Sequence, residues 1–203
     1  QTNVHGFSTE LLTLVGKERN IHLSTINTNW DTLQSGLNQE KYKAILSSLY
    51  PYNFNQEIYS FSDSYLETGP VIVAPLKDSS LTLKDLSNKA VGALNRSPEI
   101  LILEKYPDIL IKTFDTVPEA LNDLVSQNIE AALLPVLEVT AYVDHIYYRK
   151  LTIASKPLNE NGLRLVTLKE QAPELIEKFN ETLKQMKEDG RYKELLDKWN
   201  LKS

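Results

Sequence analysis

Strand-like and helix-like segments take turns along nearly the whole chain, and this alternation restricts the fold more than any other feature. Short runs read as strands at residues 21–26, 43–47, 71–74, 90–94, 109–114, 131–134, 148–154 and 163–168. Between them lie segments with apolar residues at helical spacing. Residues 7–18 carry such a stripe at Phe7, Leu11, Leu12, Leu14 and Val15, and Trp30 opens a short helix with Leu33 and Leu37 on one side. Residues 82–86 read as a helical turn. Ser97-Pro98-Glu99 is a helix start: Ser97 is expected to cap, Pro98 fits the first turn and Glu99 favours the helix dipole. Thr116-Val117-Pro118-Glu119 begins another helix, residues 137–145 form a further one, and Pro173 opens a long amphipathic helix that Gly190 ends. A last helix carries Tyr192, Leu195, Leu196 and Trp199 on one face. This order predicts an α/β architecture of mostly parallel sheets with helices on both faces.

Folds of this kind bind ligands beyond the carboxyl ends of their strands. The stretch SSLYPYNFNQEIYSFS, residues 47–62, follows such an end and carries more aromatic and amide side chains than a local helix or strand needs. It is the first place to look for a site.

Bulk properties narrow the chemistry. With 203 residues the chain is long enough for one large domain or two small ones. Its net charge is −5 with neither sign in a block, which argues against a nucleic-acid groove. The absence of cysteine removes disulfides, thiolate chemistry and Cys-based zinc sites. The seven glycines are isolated, so no phosphate-cradling loop is present, and no Gly-x-Ser-x-Gly elbow appears. His5, His22 and His145 lie far apart without metal-ligand spacing, and Glu188-Asp189 sits on a helix expected to face solvent. No catalytic residue, metal or cofactor is expected. Apolar runs are strand-length, short of the ~20 residues a membrane helix needs. The first residues carry no basic-apolar leader, so a secreted protein is expected to begin here after its targeting segment.

A set of phrases in order resembles the family 3 extracellular solute-binding proteins, the type II periplasmic receptors of polar amino-acid ABC transporters. Gly6-Phe7-Ser8-Thr9-Glu10 is similar to that family's Gly-Phe-Asp-x-Asp/Glu helix start. Trp30-Asp31, Leu37 and Lys41-Tyr42-Lys43-Ala44-Ile45 resemble its Trp-Asp…Leu…Gly-Lys-x-Asp-Ala-Ile run. Phe61-Ser62-Asp63-x-Tyr65 and Leu83-x-Asp85-Leu86-x-x-Lys89-x-Val91-Gly92 match two further phrases, and Asn180 through Asp189-Gly190-Arg191-Tyr192 to Lys198-Trp199 is similar to its ending.

The resemblance implies a two-lobed type II fold, each lobe a mostly parallel sheet flanked by helices, with two crossover hinge strands closing on a ligand. Lobe 1 is expected at 1–66 and 165–203, and lobe 2 at 67–164. It implies an extracytoplasmic or periplasmic location compatible with a lipid anchor, an inner-membrane ABC permease as partner, a monomer and no enzymatic activity. The family's own clamp is altered. Where it carries Thr and Arg for the ligand carboxylate, this chain has Tyr50 and Asn55, and Ser48 stands for a Gly. Where it carries the Asp for the ligand ammonium, this chain has Pro135, and its lobe 2 Gly-Ser/Thr becomes Arg96-Ser97. A bidentate, permanently charged group has become a neutral amide.

The expected ligand is therefore amino-acid-like, a peptide or an organic acid, but not a free zwitterionic amino acid held by the usual Arg/Asp pair. Tyr50, Tyr52 and Phe54 would stack on it, Ser48, Asn53, Asn55 and Ser97 would supply neutral hydrogen bonds, and Arg96 would hold an anionic end. Two alternatives stay open: a receptor-derived sensor or partner-binding module that has lost small-molecule capture, and a dehydratase-like enzyme. Trp30 is expected to pack at the rim of lobe 1.

Overall fold

The computed structural model describes residues 2–24 and 30–201, without the side chains of residues 2, 30 and 31. The Trp30 side chain, and positions 25 and 26 of the strand expected over 21–26, lie outside the described residues. In chain order the helices and strands are α1 Thr2–Glu18, α2 Trp30–Asn38, β1 Ile45–Ser47, α3 Asn53–Gln56, β2 Tyr59–Phe61, β3 Leu66–Glu67 and β4 Pro70–Pro75. A 3₁₀ turn at Leu83–Leu86 precedes β5 Ala90–Leu94, α4 Pro98–Leu103, β6 Leu110–Phe114, α5 Val117–Val125, β7 Ala131–Pro135 and α6 Val136–Val143. The chain ends with β8 Leu151–Ile153, β9 Gly162–Leu168, α7 Pro173–Glu188 and α8 Arg191–Lys198. It divides into two compact units, Gln1–Leu66 with Asn161–Leu201, and Glu67–Glu160.

In the first unit β9 is the central strand. Both β1 and β2 pair with it antiparallel, with Ser47 opposite Arg164 and Phe61 opposite Val166. These pairs depart from the parallel arrangement that alternation predicts. The reason is connectivity: β9 is the strand on which the chain returns, so it runs against the strands laid down on the way out. Residues 21–24 form no strand, because alternation alone does not make one without a ladder partner. Instead Ile21 donates its N–H to the Gly16 carbonyl and closes the end of α1.

Beside this sheet α1, α7 and α8 pack around a ring cluster. Phe7 and Tyr65 stack with centroids 6.3 Å apart, Phe7 meets Tyr192 edge-on at 5.8 Å, and Tyr65 meets Phe179 edge-on at 6.1 Å. The Tyr65 hydroxyl lies 2.8 Å from that of Ser8, and burial pushes its pKa up to about 12. The Lys198 ammonium and the Trp199 indole both donate to Glu10; the Lys198 bond does most to hold that carboxyl below its usual range. The Trp199 ring lies where a Cβ on Gly6 would fall, 2.3 Å away, so only glycine fits there. Ser62 exchanges bonds with Leu165, and Asp63 donates its N–H to Asn180 Oδ1. The phrases that carry the family resemblance in this unit are thus its internal fastenings.

The second unit holds a five-stranded sheet in the order β6-β5-β7-β4-β8. Strand β5 runs parallel to β6 and β7, while β4 runs antiparallel to β7 and β8. Strands β4, β5 and β7 are buried almost throughout, as their unbroken apolar sequences require. Each sheet face has its own core. Leu121 and Leu124 of α5 with Val136 and Val139 of α6 cover one face; Leu83, Leu86, Leu103 and Ile109 cover the other. Thr116 caps α5 by accepting from the Glu119 N–H at 3.3 Å, and Asp85 and Thr82 form a capping box on the 3₁₀ turn.

Ser97 does not cap α4 as expected. It sits at the N-cap with extended backbone, but its Oγ has no hydrogen-bond partner among the described residues, and the Ile100 N–H goes instead to the Ser97 carbonyl at 3.2 Å.

Candidate functional site

The first group of candidate residues lies in the first unit, just after β1. Tyr50, Tyr52 and Phe54 form a ladder: the Tyr50 and Tyr52 rings are 4.6 Å apart and tilted, and Tyr52 and Phe54 stack at 5.4 Å with planes 12° apart. The ladder is built from local hydrogen bonds. Tyr52 and Asn55 both donate to the Tyr50 carbonyl, Asn55 through Nδ2 at 2.7 Å, and Gln56 Nε2 reaches the Pro51 carbonyl at 2.6 Å. Tyr52 is the N-cap of the one-turn helix α3. Tyr52 is 54% exposed and Phe54 65%, while Tyr50 is half-buried. Exposed stacked rings of this size are costly in water and point to something that covers them. Ser48 and Asn53 are exposed beside the ladder. Asn55, where the resemblance implies an arginine, spends an amide hydrogen on the chain itself.

Sequence reasoning missed Arg164. It lies in β9 opposite Ser47, is 8% exposed, and its guanidinium carbon stands 5.5 Å from the centroid of the Tyr50 ring. A buried cation against the face of an aromatic ring fixes that ring's orientation. The signal was an arginine inside an otherwise apolar strand, Leu163 to Leu168.

The second group lies in the second unit. Leu94, Asn95, Arg96 and Ser97 make a turn closed by the Ser97 N–H donating to the Leu94 carbonyl at 3.2 Å. Arg96 has φ +59°, the left-handed conformation that glycine, the residue the resemblance implies at this position, adopts freely. Its side chain is exposed. Pro135 makes the junction of β7 and α6, stands opposite Pro70 in the ladder, and brings no charge. Because β5 and β7 are parallel neighbours, the turn after Leu94 and the junction at Pro135 lie at the same end of the sheet. The connection from β5 leads by way of α4 to β6 on one side; that from β7 leads by way of α6 to β8 on the other. This is a topological switch point, where open α/β sheets form their ligand crevice.

A concavity of about 640 Å³ in the same unit lies at the opposite end of the sheet, lined by Leu81, Leu86, Lys89, Ile129, Glu130 and Leu151 among others. None of the candidate residues lines it. Among the described residues no group of three or more His, Asp and Glu is placed to hold a metal, and no helix is long and apolar enough to cross a membrane.

The family model for bacterial extracellular solute-binding proteins, family 3, matches residues 1–202. The arginine-binding extracellular protein ArtP of Bacillus subtilis is 27% identical over 202 residues, covering 97% of this chain and 78% of that protein. The ABC transporter arginine-binding protein 1 of Escherichia coli is 24% identical over 200 residues, covering 96% of this chain and 81% of its own length. Among solved structures, the L-cystine solute receptor of Neisseria gonorrhoeae in its unliganded open conformation superposes with a TM-score of 0.79 at 19% identity, covering 95% of this chain and 82% of that one.

Proposed function

The chain belongs to family 3 of the bacterial extracellular solute-binding proteins, and from that premise we propose that it captures a small solute outside the cytoplasm for an ABC permease. The ligand is amino-acid-like, and it is held without the Arg/Asp pair that the family resemblance implies. The observation that carries this reading is the exposed ladder of Tyr50, Tyr52 and Phe54 after β1, backed by Arg164. A flat, partly apolar ligand face stacks on these rings, and Ser48 and Asn53 supply neutral hydrogen bonds. Asn55 holds the ladder in shape through the Tyr50 carbonyl rather than gripping a carboxylate. Nothing in either group of residues pairs an acid with a base across a reacting position, which supports a receptor over an enzyme.

The test is isothermal titration of the wild type, Tyr52→Ala and Phe54→Ala with free amino acids, their amine analogues, dipeptides and organic acids. The reading expects micromolar binding of at least one class and a loss of about tenfold in the alanine variants. Both rings are exposed, so the melting temperature of the free protein stays unchanged. A second reading, a partner-binding or sensor module, draws on the same exposure: rings as open as Tyr52 and Phe54 also suit a protein surface. Silence across the whole panel favours that reading and sinks the first.

A further inference from the structure

The concavity at the far end of the second unit's sheet takes no part in the candidate site, and its whole lining comes from that unit. It opens where the starts of β5 and β7 meet the end of β4, between the two cores that cover the sheet faces. Leu86 reaches it from one core, and Leu124, Ile129 and Leu151 from the other. Val125, 38% exposed, extends this apolar wall outward. At about 640 Å³ the space has the volume of a small-molecule site. Backbone hydrogen bonds fix its rim: Lys89 donates its N–H to the Leu86 carbonyl at 3.0 Å, Gln127 to Leu124 at 3.2 Å, and Lys150 to Tyr147 at 2.9 Å. The charge on that rim is uneven. Lys89 has Glu130 at 4.0 Å, whereas Lys77 and Lys150 are in no ion pair among the described residues. These two lysines are neighbours, because Pro75 stands opposite Leu151 in the β4–β8 ladder and Leu76 donates its N–H to the Lys150 carbonyl at 3.1 Å. Asp78 is the remaining acid of the lining. In a chain of net charge −5, two free ammonium groups against one carboxylate make this apolar hollow locally basic.

We propose that this concavity is a second ligand site, which takes a small amphipathic anion from solution: a carboxylate carried on an apolar chain. The carboxylate sits between Lys77 and Lys150, and the chain lies along Val125 and Leu151. The lining selects this class against its nearest neighbours in chemistry. A bare inorganic anion leaves the apolar wall to water, an alcohol makes no charge-assisted bond to the lysines, and an amine meets like charge. The switch point lies at the carboxyl ends of β5 and β7 and this hollow at their starts, so the sheet separates the two sites. The proposal therefore stands apart from the receptor reading.

The experiment is titration of the full chain with octanoate, hexanoate, octanol and octylamine, read by calorimetry and by backbone amide shifts in nuclear magnetic resonance. The variants are Lys77→Gln combined with Lys150→Gln, Val125→Glu, and Tyr52→Ala as a control on the ladder. The expected result is saturable octanoate binding, about tenfold tighter than hexanoate for the two further methylenes covered. Octanol and octylamine bind at least about tenfold more weakly than octanoate. The double lysine variant and Val125→Glu each lose about tenfold for octanoate, and Tyr52→Ala loses nothing. Octylamine binding as well as octanoate, octanoate affinity unchanged in the double lysine variant, or no saturable binding overturns the proposal and leaves the receptor reading standing. Loss of octanoate binding in Tyr52→Ala also overturns it, since the anion would then sit on the ladder. If a variant melts markedly lower than the wild type, the wild-type amide shifts decide: shifts at Lys77, Val125, Lys150 and Leu151 support the site, and shifts elsewhere overturn it.

Discussion

The Tyr65 hydroxyl and the Ser8 hydroxyl are 2.8 Å apart inside the ring cluster of the first unit, with Tyr65 only 1% exposed. Burial lifts this phenol from its ordinary 10.0 to about 12. Between those values the native protein keeps a proton that the unfolded chain has lost. Stability from this group is complete below pH ~10 and falls as pH rises toward 12, by roughly 2–3 kcal/mol in all. Urea midpoints between pH 9 and 12 should therefore drop less in Tyr65→Phe than in the wild type. Equal slopes would place the phenol in contact with water. At neutral pH the same variant is expected to lose about 1 kcal/mol with the Ser8 bond. Tyr65 was legible because it belongs to a recognisable phrase. Glu99 and Arg164 were not, since pattern reading assigns an acid in a first turn to solvent and an arginine in a strand to an edge. Both assignments fail where the chain places such a side chain inside.

Elements followed the sequence wherever a local signal and a partner agreed. Helix α5 has its Thr-x-x-Glu start, and Gly190 turns left-handed at φ +89° between α7 and α8. Strand directions in the first unit were not legible, because residue order does not say that β9 returns against β1 and β2. The middle of β5 carries a sharper constraint. A Cβ on Gly92 would stand 2.9 Å from both Ile129 Cδ1 and Phe114 Cε2, on a strand paired on both sides. Gly92→Ala is thus expected to destabilise the protein by about 1–3 kcal/mol, read as a lower urea midpoint at unchanged slope. A neutral result would mean that the Phe114 ring yields freely. The family resemblance includes this glycine, and close packing is its physical content.

For the whole molecule, the chain leaves its first unit after Leu66 and returns after Glu160, so the second unit is continuous in sequence while the first is assembled from two pieces. The second unit also owns both of the cores that cover its sheet. Residues 67–160 expressed alone are expected to unfold in a single cooperative transition with native near-ultraviolet circular dichroism. A molten product with exposed apolar surface would show that the insert depends on its host. Membership of a solute-binding family was readable from phrases that hold the first unit together and pack the second. The ligand was less readable, because its candidate contacts are the positions where this chain departs from those phrases.

The central claim is that this receptor holds a solute without the family's arginine clamp on a carboxylate. Paired calorimetric titrations with an amino acid of the panel that binds and with its amine analogue, the same side chain lacking the carboxylate, test it most directly. The account predicts micromolar binding of both, with dissociation constants within about tenfold of each other, since no charge-assisted pair to the carboxylate is at stake. Tight binding of the amino acid with its amine analogue silent would contradict it, and would mean that a cation such as Arg164 has taken over the clamp.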